Sequence, residues 1–330
     1  MEFRYTAVTQ YEPSRDLSGI AAELSTQVQL AREAGFAGVG VSEHHATEDQ
    51  YLLNEAVLGH LAEHVGEMSL RTGICLLPYH NPVRIAELGA TLDVLSGGNF
   101  QFGVGQGYRP KEFEIFGVNR ASAVGRLEEG IEIIERLWTE DGVSYDGEQF
   151  SIEDVSINPK PVQEPRPGIT MGASNESSVR RAARIADGWD AAHLPFDVLA
   201  EYVAAFRDER AKTDRGAGEI GIGREVYVAE TAAEAERIVR EPLMQKYDAY
   251  IDWGQSDVFE ADDFDSPWDQ LKSERFIVGS PDDVIEEIAR YEEAFDPDSF
   301  GMRMQYLGMD FDDVHASIEL LGEEVLPSFE

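Results

Sequence analysis

The sequence predicts an α/β chain whose parallel strands close as a (β/α)8 TIM barrel, with insertions after the fourth helix and after the seventh strand. Three observations carry this expectation. Strand-like apolar runs alternate with amphipathic helical stretches eight times. The length of 330 residues suits one large barrel, or two ordinary domains. No short repeat, low-complexity tract or linker-like run rich in Pro, Ser and Gly divides the chain, so residues 1–330 read as one domain. A doubly wound open sheet is the alternative that the same alternation permits.

The elements follow in order. Phe3 to Val8 forms the first strand. After Pro13, the residues Leu17, Ile20, Ala21, Leu24, Val28 and Ala31 fall at helical spacing, and Gly35 stops that helix. Phe36 to Val41 is the second strand, Leu52 to Val65 a helix, and Leu70 to Leu77 the third strand. Ile85, Leu88, Leu92 and Leu95 stripe the next helix, which Ser96-Gly97-Gly98 ends. Phe100 to Val104 is the fourth strand, and Leu127, Ile131, Ile134 and Trp138 stripe the fourth helix.

Within residues 140–160, Asp146-Gly147 separates Val143 to Tyr145 from Gln149 to Ile152, a hairpin signal outside the barrel wall. Gly168 to Met171 and Asp190 to Leu194 are strands five and six, with a helix from Ser178 to Ile185 between them. Phe196 to Arg210 is helical, Ile222 to Ala229 is strand seven, and Ala232 to Val239 begins another helix. Residues 247–275, rich in Asp, Trp and Phe without a clean period, read as an insertion or lid whose Trp253, Phe259 and Trp268 are candidate pocket aromatics. Val284 to Tyr291 is helical, Phe300 to Tyr306 the last strand, and Val314, Ile318, Leu321 and Val325 stripe a closing helix.

Composition bounds the function classes. The 27 Lys and Arg residues against 64 Asp and Glu give a formal net charge of −37, which argues against nucleic acid and anionic membranes as partners. Lysine occurs only at positions 111, 160, 212, 246 and 272. An acidic, lysine-poor surface predicts a halophilic, high-salt cytoplasm, because molar salt shortens the Debye length to roughly 3 Å and removes most self-repulsion. Cys75 is the only cysteine, so neither a disulfide framework nor a thiolate metal cluster is expected. The N-terminus lacks a basic start and apolar run, and no run of ~18 apolar residues marks a membrane span, so a cytoplasmic protein is expected.

The chemistry concentrates at Val41-Ser42-Glu43-His44-His45, where the second strand ends. Histidine titrates nearest neutrality, so an imidazole pair beside a glutamate suits proton transfer or metal ligation; the alternative is surface decoration. Gly172 to Ser178 leaves the fifth strand and opens a helix, where free amides attract an anion; the alternative is ordinary capping by Ser174 or Ser177. Gly103-Val104-Gly105-Gln106-Gly107 has the wrong spacing for a dinucleotide fingerprint and reads as a tight strand exit. His60-Leu61-Ala62-Glu63-His64 spells a zinc-peptidase string but reads as an exposed helix face, with no third ligand downstream. His80 and His193 each follow a strand-like run and are further site candidates, whereas His315 reads as surface.

Several segments together resemble the bacterial luciferase-like flavin-dependent monooxygenases. They are Glu43-His44-His45, Leu77-Pro78, Asn81 to Glu87, Leu92 to Phe100, Gly103 to Tyr108 with Glu112-Phe113 and Phe116-Gly117, Gly172 to Ser178, Ala186 to Trp189, and Ile277 to Pro281. The resemblance implies a barrel that binds FMN, or a deazaflavin coenzyme in sister branches, at the C-terminal ends of the strands. It carries the catalytic role to His44, with Glu43 and His45 as neighbours. The flavin phosphate falls to Ala173, Ser174, Glu176, Ser177 and Ser178 with their amides, and a cis non-proline peptide behind the flavin falls to Gly73-Ile74. Gln106 stands where such proteins commonly have an arginine, and Arg109 or Lys111 are the candidates to compensate.

The implied reaction uses reduced FMN from a separate flavin reductase, dioxygen and a small organic substrate, in a homodimer and without a metal. The alternatives are a deazaflavin-dependent reductase or dehydrogenase on the same fold, or a non-catalytic flavin-binding protein.

Overall fold

The computed structural model describes residues 1–254 and 265–329. Eight parallel strands form a closed ring: β1 Glu2–Ala7, β2 Gly38–Val41, β3 Ser69–Thr72, β4 Phe100–Val104, β5 Ile169–Gly172, β6 Gly188–Ala192, β7 Glu219–Val228 and, last in the chain, β9 Ser299–Arg303. Each pairs with its neighbours in this order, β9 pairs with β1 (Phe3 opposite Phe300), and β6 pairs with β7 (Trp189 opposite Ile220). The barrel is therefore closed, and the open-sheet alternative is excluded.

Helices α1 Ile20–Glu33, α2 Asn54–Leu61, α3 Pro82–Leu95, α4 Pro110–Ile115, α5 Ala123–Thr139, α6 Glu176–Ile185, α7 Phe196–Arg210, α8 Ala232–Asp252, α9 Trp268–Glu274, α10 Pro281–Phe295 and α11 Phe311–Leu320 complete the α/β alternation. Their apolar stripes face the ring. In α5, Leu127, Ile131, Ile134 and Trp138 are all buried. The Trp138 indole donates to the carbonyl of Ala86 at 2.9 Å. Here α3 comes close: a Cβ on Gly89 would lie 2.6 Å from the Trp138 ring, so only glycine permits this helix packing.

Four features differ from the sequence expectation. A ninth strand, β8 Phe276–Gly279, pairs with the far half of β7 (Val226 opposite Ile277). The ten-residue β7 outruns β6, whose pairing ends at Gly223, and the edge left beyond the rim takes β8. The helix expected over 232–239 runs on to Asp252, because Leu243, Tyr247 and Tyr250 continue its buried stripe. Residues 247–252 are thus its last turns. A short helix absent from the sequence expectation, α4, opens at Pro110, at a position where a missing N–H costs nothing. Finally, Gln10–Tyr11 pairs antiparallel with Gln50–Tyr51 above the rim. Two-residue strands leave no period to read.

The hairpin falls at Val143–Asp146 and Ser151–Val155. Its return is tied down by the buried Asp93 carboxylate, which accepts from the amides of Val162 (2.6 Å) and Gln163 (3.0 Å). Trp268 is buried against Phe276 and serves the core; Phe259 lies outside the described residues. Among the described residues no helix is long and apolar enough to cross a membrane.

Candidate active site at the C-terminal rim

A cavity of about 560 Å³ opens at the C-terminal ends of the strands and reaches down between Gly40, Gly221 and Gly301. Its volume lies in the range of small-molecule sites. Barrel strands deliver their last residues to this end, so Ser42, Glu43 and His44 from β2, Gly73 and Ile74 from β3, Gln106 and Tyr108 from β4, and Ala173, Ser174 and Ser178 beyond β5 converge on it.

The three adjacent residues of the Glu-His-His stretch turn in different directions. Glu43, only 5 % exposed, points back into the wall. It accepts from His45 Nε2 at 2.6 Å, His80 Nε2 at 2.7 Å and the Leu76 amide at 2.7 Å. Burial opposes its ionisation, but the hydrogen bonds from His45 and His80 prevail and hold its pKa down to about 2. For His45, burial is likewise outweighed by Glu43, and its pKa is raised.

His44 faces the cavity. Its Nδ1 lies 3.2 Å from Oε1 of Glu112, a fully buried carboxylate on α4. The same oxygen accepts from the His45 amide at 2.9 Å and from Arg109 at 3.1 Å. Although burial opposes it, these donors, with His44 foremost, hold Glu112 below the ordinary carboxylate range. An ionised Glu112 makes His44 Nδ1 the donor, which leaves Nε2 free to take or give a proton. Tyr51, Tyr108 and Trp253 pack around the ring at centroid distances of 5.5, 5.9 and 5.1 Å. Arg109 donates to the His45 carbonyl at 2.7 Å and lies 4.4 Å over Trp253.

The other residues expected at the site divide. The Gly73–Ile74 peptide is cis. The Ile74 side chain packs where Gly105 and Gly172 leave room: a Cβ on Gly105 would fall 2.0 Å from its Cδ1. Helix α6 is capped by Asn175, not by Ser174 or Ser177, and Ser178 completes a capping box. The Ser177 hydroxyl donates to Asn175 at 2.8 Å, and Glu176 pairs with Arg180. Three of the expected phosphate residues therefore have side chains engaged in the helix start. The Ser178 amide donates to the Asn175 side chain at 3.0 Å, which leaves the Glu176 and Ser177 amides without an acceptor in the helix, and Ser174 faces the cavity. Gln106 lines the cavity, but Arg109 is committed to Glu112, and Lys111 pairs with Glu114 at the surface. Arg120, exposed on the same rim, lines the cavity and engages no carboxylate among the described residues.

His60 lies on the outside of α2, hydrogen-bonded to Ser25 at 2.9 Å, and His64 is half-buried in the turn that follows the helix. His315 pairs with Glu23 on α1 at 2.7 Å. Glu43, Cys75 and His80 bring ligand-type atoms within 4.8 Å of one another. Glu43 already has three donors there, and burial pushes the Cys75 thiol well above its ordinary pKa, away from the thiolate that a metal needs.

Reading by motif left Glu112 without a role, because it stands in no periodic pattern. Asp190 could have been found as the one charge inside an otherwise apolar strand, and Glu225 and Arg303 as charges in strand-like runs; each lines the cavity.

A luciferase-like monooxygenase family profile matches residues 1–296. The chain belongs to that family. It is 26 % identical over 93 % of its length to the oxygenase component of a flavin-dependent trigonelline monooxygenase from Acinetobacter baylyi, 89 % of which is covered. It is 29 % identical to an F420-dependent glucose-6-phosphate dehydrogenase from Microbacterium testaceum, with 90 % of each chain covered. A monooxygenase from Streptomyces bottropensis has the same fold, with TM-score 0.89 at 24 % identity and all of both chains covered. This luciferase-like chain is thus an oxidoreductase by family.

Proposed function

We propose that the protein is a flavin-dependent monooxygenase that uses reduced FMN and dioxygen on a small organic substrate. The observation that carries this reading is His44, held at the cavity wall by buried Glu112 with Nε2 left free. Bound FMN would supply the redox and oxygen chemistry. The site fits such a group: Gly105 and Gly172 clear the space around Ile74, and the Tyr108 hydroxyl is buried in the wall without a hydrogen-bond partner among the described residues. The Glu176 and Ser177 amides at the start of α6, Ser174 and Arg120 would hold the phosphate, so that Arg120 supplies the charge that Gln106 lacks. His44 gives or takes the proton at Nε2. Tyr51, Tyr108 and Trp253 keep water from that atom. Delivery of reduced flavin by a separate reductase agrees with the oxygenase-component description of the Acinetobacter relative.

A second reading, hydride transfer with deazaflavin coenzyme F420, is favoured by the Microbacterium relative and needs the same proton-handling histidine. Titration of the protein with FMN and with coenzyme F420, then reduction and exposure to air, separates the two. FMN binding with protein-dependent oxygen consumption is expected. Binding of F420 alone establishes the second reading, and binding of neither overturns both. His44→Ala should keep flavin affinity and lose about 10²- to 10⁴-fold in turnover. Normal turnover would remove His44 from this role.

A further inference from the structure

Across the cavity from His44 lies a polar wall that the proton-handling reading does not use. Glu225 of β7 and Arg303 of β9 are register partners, so both side chains face the same way, into the cavity. Glu225 is fully buried and its charge is met locally. It pairs with the buried Lys246 ammonium of α8, lies 3.0 Å from His193 Nδ1, and accepts from the Tyr247 hydroxyl at 3.4 Å. His193 itself is held at φ 61, a backbone conformation uncommon outside glycine.

Arg303 has no such counterpart. Its Nε is buried without a hydrogen-bond partner, and its guanidinium makes no ion pair among the described residues. The groups that surround it electrostatically are the Tyr250, Tyr51 and Tyr306 phenols and the already paired Glu225. The wall therefore carries one uncompensated positive charge, inside a chain whose formal net charge is −37. Arg303 is half-buried with its Nε fully enclosed, and the planar fork of a guanidinium matches a carboxylate in two parallel hydrogen bonds.

The position also fits substrate better than cofactor phosphate. β9 is three strands round the ring from β5, whose exit opens α6, four from β4, whose exit segment carries Arg120, and two from β2, which carries His44. Tyr51, in contact with the His44 ring, bridges the gap between them.

We propose that Arg303 is a substrate-orienting residue that binds the carboxylate of an anionic, aromatic or otherwise apolar substrate and turns its body toward His44. This rests on the flavin-enzyme reading for the cofactor's place, but the anion site itself is tested without flavin. The probes are benzoate and its neutral counterpart benzamide, titrated into the protein and followed by calorimetry and by tryptophan fluorescence, which Trp253 in the cavity wall reports.

Wild type should bind benzoate at least about tenfold more tightly than benzamide, a difference of about 1.4 kcal/mol. Arg303→Gln should lose that preference and Arg303→Lys should keep part of it, while both retain wild-type FMN affinity. Equal binding of the two probes by wild type overturns the assignment without recourse to any variant. So does an Arg303→Gln protein that still prefers benzoate, or one that loses FMN together with benzoate, since the guanidinium would then serve the cofactor. A wild-type protein that prefers benzoate but binds no flavin upholds the anion site and sinks the flavin reading. One that binds FMN without preferring benzoate does the reverse.

Discussion

Glu43→Gln tests how the rim is held together. The wild-type carboxylate accepts three hydrogen bonds, all between 2.6 and 2.7 Å, from two imidazoles and one amide. Hydrogen bonds to a charged group contribute about 1.5–3 kcal/mol each. Both imidazoles donate to one carboxylate oxygen and the Leu76 amide to the other, so glutamine keeps its oxygen for the imidazoles in weaker, uncharged bonds and turns its NH2 against the Leu76 N–H. We expect a net loss of about 3 kcal/mol. Unfolding entropy for a chain of this length is about 0.7 kcal/mol/K, so the melting temperature should fall by about 4 °C.

The pH dependence is specific. Glu43 is depressed to about 2, so its contribution is fully present above the ordinary carboxylate pKa and is lost only as pH falls toward 2. His45 is raised, so its contribution is fully present below its ordinary pKa and is lost as pH rises through the raised value. The stability gap between wild type and variant should be widest between about pH 4.5 and 6.5 and narrow at alkaline pH. Calorimetry across that range, with imidazole NMR titration of His45, measures both. An unchanged melting temperature, or a gap that widens as pH rises, would refute the reasoning.

Two further outcomes follow from the buried charges. Lys246→Met leaves Glu225 without its ammonium and should cost about 3–5 kcal/mol, or about 4–7 °C; Glu225→Gln in the same chain should restore most of it, read by thermal melts as a double-mutant cycle. His193 is held below its ordinary pKa by burial, and Lys246 adds to this, so NMR should show its pKa rise in Lys246→Met. With a net charge of −37, the melting temperature should climb as KCl is raised toward molar concentrations and fall on dialysis into dilute buffer; a melting temperature independent of salt would remove the halophilic reading.

The periodic parts of this protein were legible from its sequence, and the reason is that burial on a barrel repeats. The alternation of apolar runs and amphipathic helices located all eight barrel strands and the stripe of α5, since each strand and each helix face meets the same core. The place of Glu43-His44-His45 followed as well, because every strand exit lies on one rim. Elements supported only by their neighbours escaped. β8 exists because β7 outruns β6, and α8 continues because Tyr247 and Tyr250 find a core.

The division of labour among the histidines was decided in three dimensions. Sequence placed Glu43, His44 and His45 side by side, yet His44 is paired with Glu112, sixty-eight residues away, and Glu43 with His80. Arg109, a phosphate candidate by proximity in the chain, is held by Glu112 instead, while Arg120 reaches the rim. Sequence by itself determined the scaffold and the end of it that does chemistry, because period and strand polarity are local properties. Which carboxylate meets which imidazole, and which guanidinium is left without a partner, only the closed barrel decides, because it brings the ends of distant strands within hydrogen-bond reach.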